Sequence, residues 1–152
     1  MISFERNSVI PLGPLDTFDL ALDIDAHMGS MAESGERAID GVTTGVIGLD
    51  ETVTWRARHF GITWTMSTTI SELDRPTRFV DRQLRGPFKE FIHEHTFVPV
   101  DGGTHVTDRV RFAAPLGPLG RVAERLVLKR YIPELIDTRN EFMIAEAAER
   151  SR

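Results

Sequence analysis

Cysteine is absent from the 152 residues. That excludes disulfides, thiolate metal ligation and a thiol nucleophile, and it leaves the redox compartment unmarked. Any chemistry must come from His, Asp, Glu, Arg or hydroxyl groups. An excess of positive charge is also missing: the formal net charge is -5 and the pI is near 5.5. Both speak against a protein whose chief affinity is for nucleic-acid phosphates or anionic lipid. No apolar run is long enough to span a bilayer, and no basic leader precedes an apolar core and cleavage site. A cytoplasmic protein is expected, with no nucleic-acid partner and no stable membrane insertion. No phosphate-cradling glycine loop opens a helix, and neither GxSxG nor HExxH occurs. No cofactor is therefore implied.

What is present is a globular mixture, 41% hydrophobic and 27% charged, long enough for one domain over residues 1–152. Residues 2–10 read as an opening strand ended by Pro11. A first helix is expected from Asp16 as N-cap, with Phe18 and Leu22 on its apolar stripe. A second short helix would be capped by Asp25, carry Met28 and Met31, and stop at Gly35. From Glu36 to Pro115 the period becomes two, with runs at 51–60, 62–73, 77–85, 88–100 and 104–114, a meander of antiparallel strands. After Pro118 helical spacing returns and holds to about Glu149. Leu128, Ile132, Leu135, Arg139 and Phe142 share one stripe, which Val122, Leu126 and Ile136 widen. Pro133 should kink this helix. The fold class is α+β, a curved antiparallel sheet with two short helices after its first strand and a long C-terminal helix across one face. Space left between sheet and helix would form a pocket.

The hairpin at 88–114 carries the strongest local inference. Gly102 and Gly103 suit a two-residue turn. Pairing Asp101 with Thr104 sets His95 opposite Val110, His93 opposite Phe112, Phe97 opposite Asp108 and Glu94 opposite Arg111. One face then collects Phe91, His93, His95, Phe97, Val106, Asp108, Val110 and Phe112. The other collects Glu90, Glu94, Thr96, Thr107, Arg109 and Arg111 and reads as solvent-facing.

Three ionisable groups on the inward face, His93, His95 and Asp108, would each cost about 1–3 kcal/mol if buried unpaired. They could form a structural polar cluster, bind a ligand, or perform acid/base chemistry with Asp108 orienting His95 and raising its pKa. Metal binding is disfavoured, because two alternate histidines supply only two ligands. The strand at 79–84 has an open register, since Gly86 and Pro87 make a poor two-residue turn. The preferred facing turns Phe79, Asp81 and Gln83 inward, against the alternative of Val80, Arg82 and Leu84. Trp55 and, on the next strand, Trp64 and Met66 are cavity-wall candidates, although packing alone would also explain them. From the helix stripe, Leu128, Ile132 and Leu135 complete the candidate lining.

The stretch 79–120 resembles the START-like (SRPBCC) superfamily, in particular its uncharacterised branch described as cyclase/dehydrase-like. The residues that carry the likeness are Asp81, Gln83, Gly86, Pro87, Phe88, Phe91, His93, His95, Phe97, Thr107, Asp108, Val110, Pro115 and Gly117. Phe91 stands where tryptophan is commoner in that branch. The resemblance extends more weakly over nearly the whole chain and implies a helix-grip fold, seven antiparallel strands around the last helix. Its relatives include lipid carriers, plant allergens, aromatase/cyclases and ubiquinone-binding proteins, and fold alone chooses among none of these. The expectation for this chain is a binder of a small apolar or amphipathic molecule, lipid- or polyketide-like. The alternatives are a cyclase, aromatase or dehydratase using His95 or His93 with Asp108, and an interaction module holding a protein or membrane surface.

Overall fold

All of residues 1–152 are described by a computed structural model. The first strand, β1 (Ile2–Ile10), alternates half-buried and exposed side chains along its length, as a strand with one wet face must. Helix α1 (Pro14–Leu22) begins at Pro14, two residues before the expected cap, and Gly13 occupies the cap position. Proline lacks the N–H that the first helical turn leaves unpaired, and its φ is already helical. Asp16 sits inside the first turn. Asp23, not Asp25, caps α2 (Ile24–Ser30), its carboxylate accepting from the Ala26 N–H at 3.0 Å. Asp25 instead accepts from the Thr44 hydroxyl and the Gly45 N–H. A short 3-10 turn, Ala32–Ser34, ends at left-handed Gly35.

Six further strands follow: β2 (Arg37–Gly41), β3 (Thr52–His59), β4 (Ile62–Asp74), β5 (Arg78–Arg85), β6 (Glu90–Val100) and β7 (Gly103–Ala113). They form one antiparallel sheet in the order β1-β7-β6-β5-β4-β3-β2. The chain ends in α3 (Pro118–Ala123), a π-helical turn at Glu124–Leu128 and α4 (Lys129–Arg150). This is the α+β helix-grip arrangement. No helix is long and apolar enough to cross a membrane.

The β6–β7 register differs from expectation by two residues. Val100 pairs with Gly103, so His95 faces Asp108, His93 faces Val110, Phe97 faces Val106 and Glu94 faces Arg109. The connecting residues are Asp101 and Gly102; Gly102 has φ 82°, and Gly103 at the start of β7 also has positive φ, 158°. Gly103 belongs to the ladder. A Cβ there would lie 2.0 Å from the Ile10 carbonyl oxygen, so β1, not the turn, demands the second glycine. A shift of two leaves every side chain on its expected face, and the outer face carries the ion pairs Arg109–Glu94, Arg109–Glu5 and Arg111–Glu90.

The connection from β5 to β6 spans four residues, Gly86 to Lys89. Gln83 holds it, its amide donating to the Phe88 carbonyl at 2.8 Å and accepting from the Phe88 N–H at 3.2 Å. Phe79 and Asp81 face inward; Gln83 is spent on the loop.

Pro133 cannot donate to the Lys129 carbonyl, and the helix continues through it. The departure from α geometry lies just upstream, in the π-helical turn. On the final helix the buried residues include Ile132, Ile136, Arg139, Asn140, Met143 and Ala147. Val122 and Leu126 do not widen this face; both are exposed. The main core packs Ile10, Phe18, Leu20, Phe79, Phe97 and Met143 together, each large apolar side chain contributing about 1.5–3 kcal/mol by leaving water. A second cluster joins Val110 and Phe112 to Ile132 and Ile136. Between them the interior is hollow.

Candidate functional site

The hollow is a cavity of about 750 Å³ between the concave face of the sheet and the C-terminal helix, lined by 37 residues of which 25 are hydrophobic. Strand alternation puts Trp55, Trp64, Met66, Phe79, Asp81, Phe91, His93 and His95 on its wall, and helix spacing adds Leu128, Ile132 and Leu135. Four expected residues do not reach it. Phe97 packs edge-on against Phe18 with ring centroids 5.1 Å apart. Val110 and Phe112 are covered by the second core cluster. Asp108, fully buried, lies behind the two histidines.

The polar groups form a single network where the helix meets the sheet. Asp108 Oδ1 lies 2.7 Å from His93 Nε2 and 3.2 Å from His95 Nδ1, and Asp108 Oδ2 accepts from the Asn140 side-chain amide at 3.0 Å. Asp81 Oδ2 is 2.6 Å from His95 Nε2. Arg139 Nη1 stands 3.6 Å from Asp108. The two imidazoles stack at 3.7 Å, and Phe79 stacks on the far face of this pair, 4.1 Å from the His95 ring.

These distances sort the charges. For His95, burial opposes the charged ring, but contacts with Asp108 and Asp81 outweigh it and raise its pKa above 6.5. For His93, burial and then the adjacent His95 charge prevail over the Asp108 bond and push its pKa down. Burial alone would raise both carboxyls. The histidine contacts reverse this, lowering Asp81 and holding Asp108 well below the usual carboxylate range. At about pH 6.5, where the raised His95 is mostly charged and the lowered His93 mostly neutral, two carboxylates thus face His95⁺ and the Arg139 guanidinium, and the network sums to zero charge. Neutral His93 donates from Nε2 to Asp108, which leaves its Nδ1 as a free acceptor on the cavity wall.

Asp81 supplies the third metal-ligating group that a count of histidines lacked. Donor atoms of Asp81, His93 and His95 lie within 4.8 Å of one another. The rings, however, are only 19° from parallel, and an ion needs to lie near the plane of each imidazole that binds it. Stacked planes 3.7 Å apart cannot both offer this, so metal binding would require a ring to rotate and Asp108 to lose a bond.

Several participants escaped the sequence reading. Arg139, which on an apolar stripe is expected to snorkel or to pair, is paired with Asp108, is only 5% exposed and also lines the cavity. Asn140 follows it on the same buried face; a charged and an amide residue inside an apolar stripe were the available signal. His59 Nδ1 and the Tyr131 hydroxyl lie 2.5 Å apart, tying the β3–β4 turn to the helix. Burial pushes the His59 pKa down and the Tyr131 pKa up, so both are neutral. Only the fold brings residues so distant in sequence together.

A family model described as polyketide cyclase / dehydrase and lipid transport matches residues 1–147. The chain belongs to this family. Among solved structures, the Zhui aromatase/cyclase from Streptomyces sp. R1128 superposes with a TM-score of 0.75 at 16% identity, covering 99% of this chain and 96% of that one. TTHA0849 from Thermus thermophilus gives 0.73 at 19% identity, covering 95% and 99%. The di-domain aromatase/cyclase StfQ of the steffimycin biosynthetic pathway gives 0.76 at 15% identity, covering 99% of this chain and 52% of that one. No curated protein matches the chain in sequence. At identities this low the superpositions establish the helix-grip fold alone.

Proposed function

We propose that this protein encloses one small, mainly apolar molecule that presents a hydroxyl or other hydrogen-bond donor to His93. A mostly hydrophobic cavity with a few convergent polar groups is the usual make-up of a small-molecule site. The observation that carries the reading is the cavity of about 750 Å³ with the buried histidine–carboxylate network in its wall. Because that network is already neutral, an uncharged lipid- or polyketide-like guest fits better than an ion, whose desolvation nothing would offset.

The test is displacement of a lipophilic fluorophore, together with native mass spectrometry of protein taken from its own host. Ala57, buried on the cavity wall, is the site to fill. Ala57→Phe should weaken fluorophore binding while leaving a cooperative thermal transition. Undiminished binding in a folded Ala57→Phe protein, or no probe bound by the native chain, rules the reading out.

One feature favours a second reading, that of a cyclase, aromatase or dehydratase, a class to which two of the structural neighbours belong by name. A neutral imidazole with a free Nδ1 beside an imidazolium can take a proton. Of the two candidates, His93 is the base in this reading, with His95 and Asp108 positioning it, because both nitrogens of His95 face carboxylates. Turnover of a polyketide-like substrate that survives His93→Gln would exclude it.

A further inference from the structure

The net charge of -5 conceals an uneven distribution. In the antiparallel sheet, the β3–β4 turn, the β5–β6 loop and the segment after β7 all lie at one end. Residues 57–64, 84–90 and 114–130 together hold seven basic side chains, Arg58, Arg85, Lys89, Arg121, Arg125, Lys129 and Arg130, against Glu90 and Glu124. The rest of the chain then has eleven basic and twenty-one acidic residues. All seven cations are exposed, and none makes an ion pair, while Glu90 pairs with Arg111 and buried Glu124 with the Met1 amine.

The same end carries the most exposed of the apolar side chains, while others, such as Val9, Leu15 and Val98, are scattered over the rest of the surface as in most folded proteins. Leu116, Leu119 and Leu126 are each more than 70% exposed, and Phe60, Ile62 and Val122 more than half. Leu116 precedes the helix; along it, 119, 122 and 126 recur at three- and four-residue steps, with Arg121 and Arg125 between them and Lys129 just beyond. That is the pattern of a helix lying in a membrane interface. Phe60, Trp64, Leu116, Leu119 and Val127 belong both to this surface and to the cavity wall, so the cavity reaches the surface within the apolar patch.

We propose that this end docks on an anionic lipid bilayer, its leucines and aromatics entering the headgroup boundary and its seven free cations facing lipid phosphates. Fluid hydrocarbon conforms to an irregular apolar rim and leaves the opening in contact with dissolved apolar molecules, whereas a folded acidic protein seated there would seal it. The docking surface stands on charge and exposure; only the passage of a guest through it rests on the proposed function.

The experiment is flotation of the whole chain with phosphatidylcholine vesicles, with and without phosphatidylglycerol, while Trp64 emission is followed. Binding should require the anionic lipid, weaken with added salt and shift the emission to the blue, a shift absent from Trp64→Phe. Neutralising three exposed cations together (Arg121→Gln, Arg125→Gln, Lys129→Gln) should weaken binding about a hundredfold, at roughly fivefold for each charge. Leu116→Ser with Leu119→Ser should weaken it without altering thermal unfolding. No association with anionic vesicles at low salt, or binding that the triple variant leaves unchanged, overturns the proposal. So does capture of an acidic protein at this face by a chain that ignores vesicles. Fluorophore loading measured without lipid separates the two readings: loading without docking removes the bilayer alone, and docking without loading removes the cavity guest alone.

Discussion

His93 and His95 are two residues apart on one strand, stacked ring on ring, and differ in charge because they differ in partners. His95 has a carboxylate at each nitrogen; His93 has one carboxylate and a charged neighbour. Nitrogen-detected NMR should find His95 still protonated above pH 6.5 and His93 still neutral somewhat below it. A shared midpoint would contradict the assignment. The stability consequences follow in sign. The contribution of His95, with its pKa raised on folding, is complete below about pH 6.5 and is lost as pH climbs through the folded value. Those of Asp81 and Asp108, with their pKa lowered, are complete above about pH 4 and are lost as pH falls. His93, lowered as well, penalises the fold progressively below about 6.5. Urea midpoints should therefore decline on both sides of a weakly acidic to neutral plateau. At this scale the sequence exposed the anomaly, three ionisable groups on an apolar face, but not its resolution. Asp81 lay on a strand of open register, and Arg139 and Asn140 come from a helix whose placement the strands do not encode.

Elements were more legible than their pairings. Strand runs came within one or two residues because alternation is a local property of each strand, and β1 is bounded at Ile2 and Ile10 as expected. Registers depend on neighbours. The β6–β7 ladder slipped by two because Gly103 reads as a turn glycine, while the reason for it, the approach of the Ile10 carbonyl, lies at the far end of the chain. Helix starts slipped for a comparable reason: Pro14 and Asp23 compete with Asp16 and Asp25 as signals, and only the packed turn decides. The glycines give a direct check. Gly102→Ala meets no atom but forces a left-handed alanine, at about 1–2 kcal/mol. Gly103→Ala places a carbon against backbone and should cost more, since the edge strand must move. Equal losses in urea denaturation would show that β1 does not impose the requirement.

Taken as a whole, the molecule is hollow, and its charge is asymmetric. Hollowness was foreseen from a sheet curling around a long helix whose side chains need not fill the space between them, and the cavity of about 750 Å³ fits that expectation. The asymmetry was not, because a net charge is a sum and a sum carries no direction. Only when the sheet gathers three distant connections at one end do their arginines and lysines become neighbours. The neutrality of the buried network has a calorimetric consequence of its own. A guest that meets a pre-balanced set of two anions and two cations gives no group a reason to change protonation on uptake. The heat of binding should then be the same in phosphate and in Tris, whose ionisation enthalpies differ widely, and any dependence on buffer would report a proton gained or released as the guest settles.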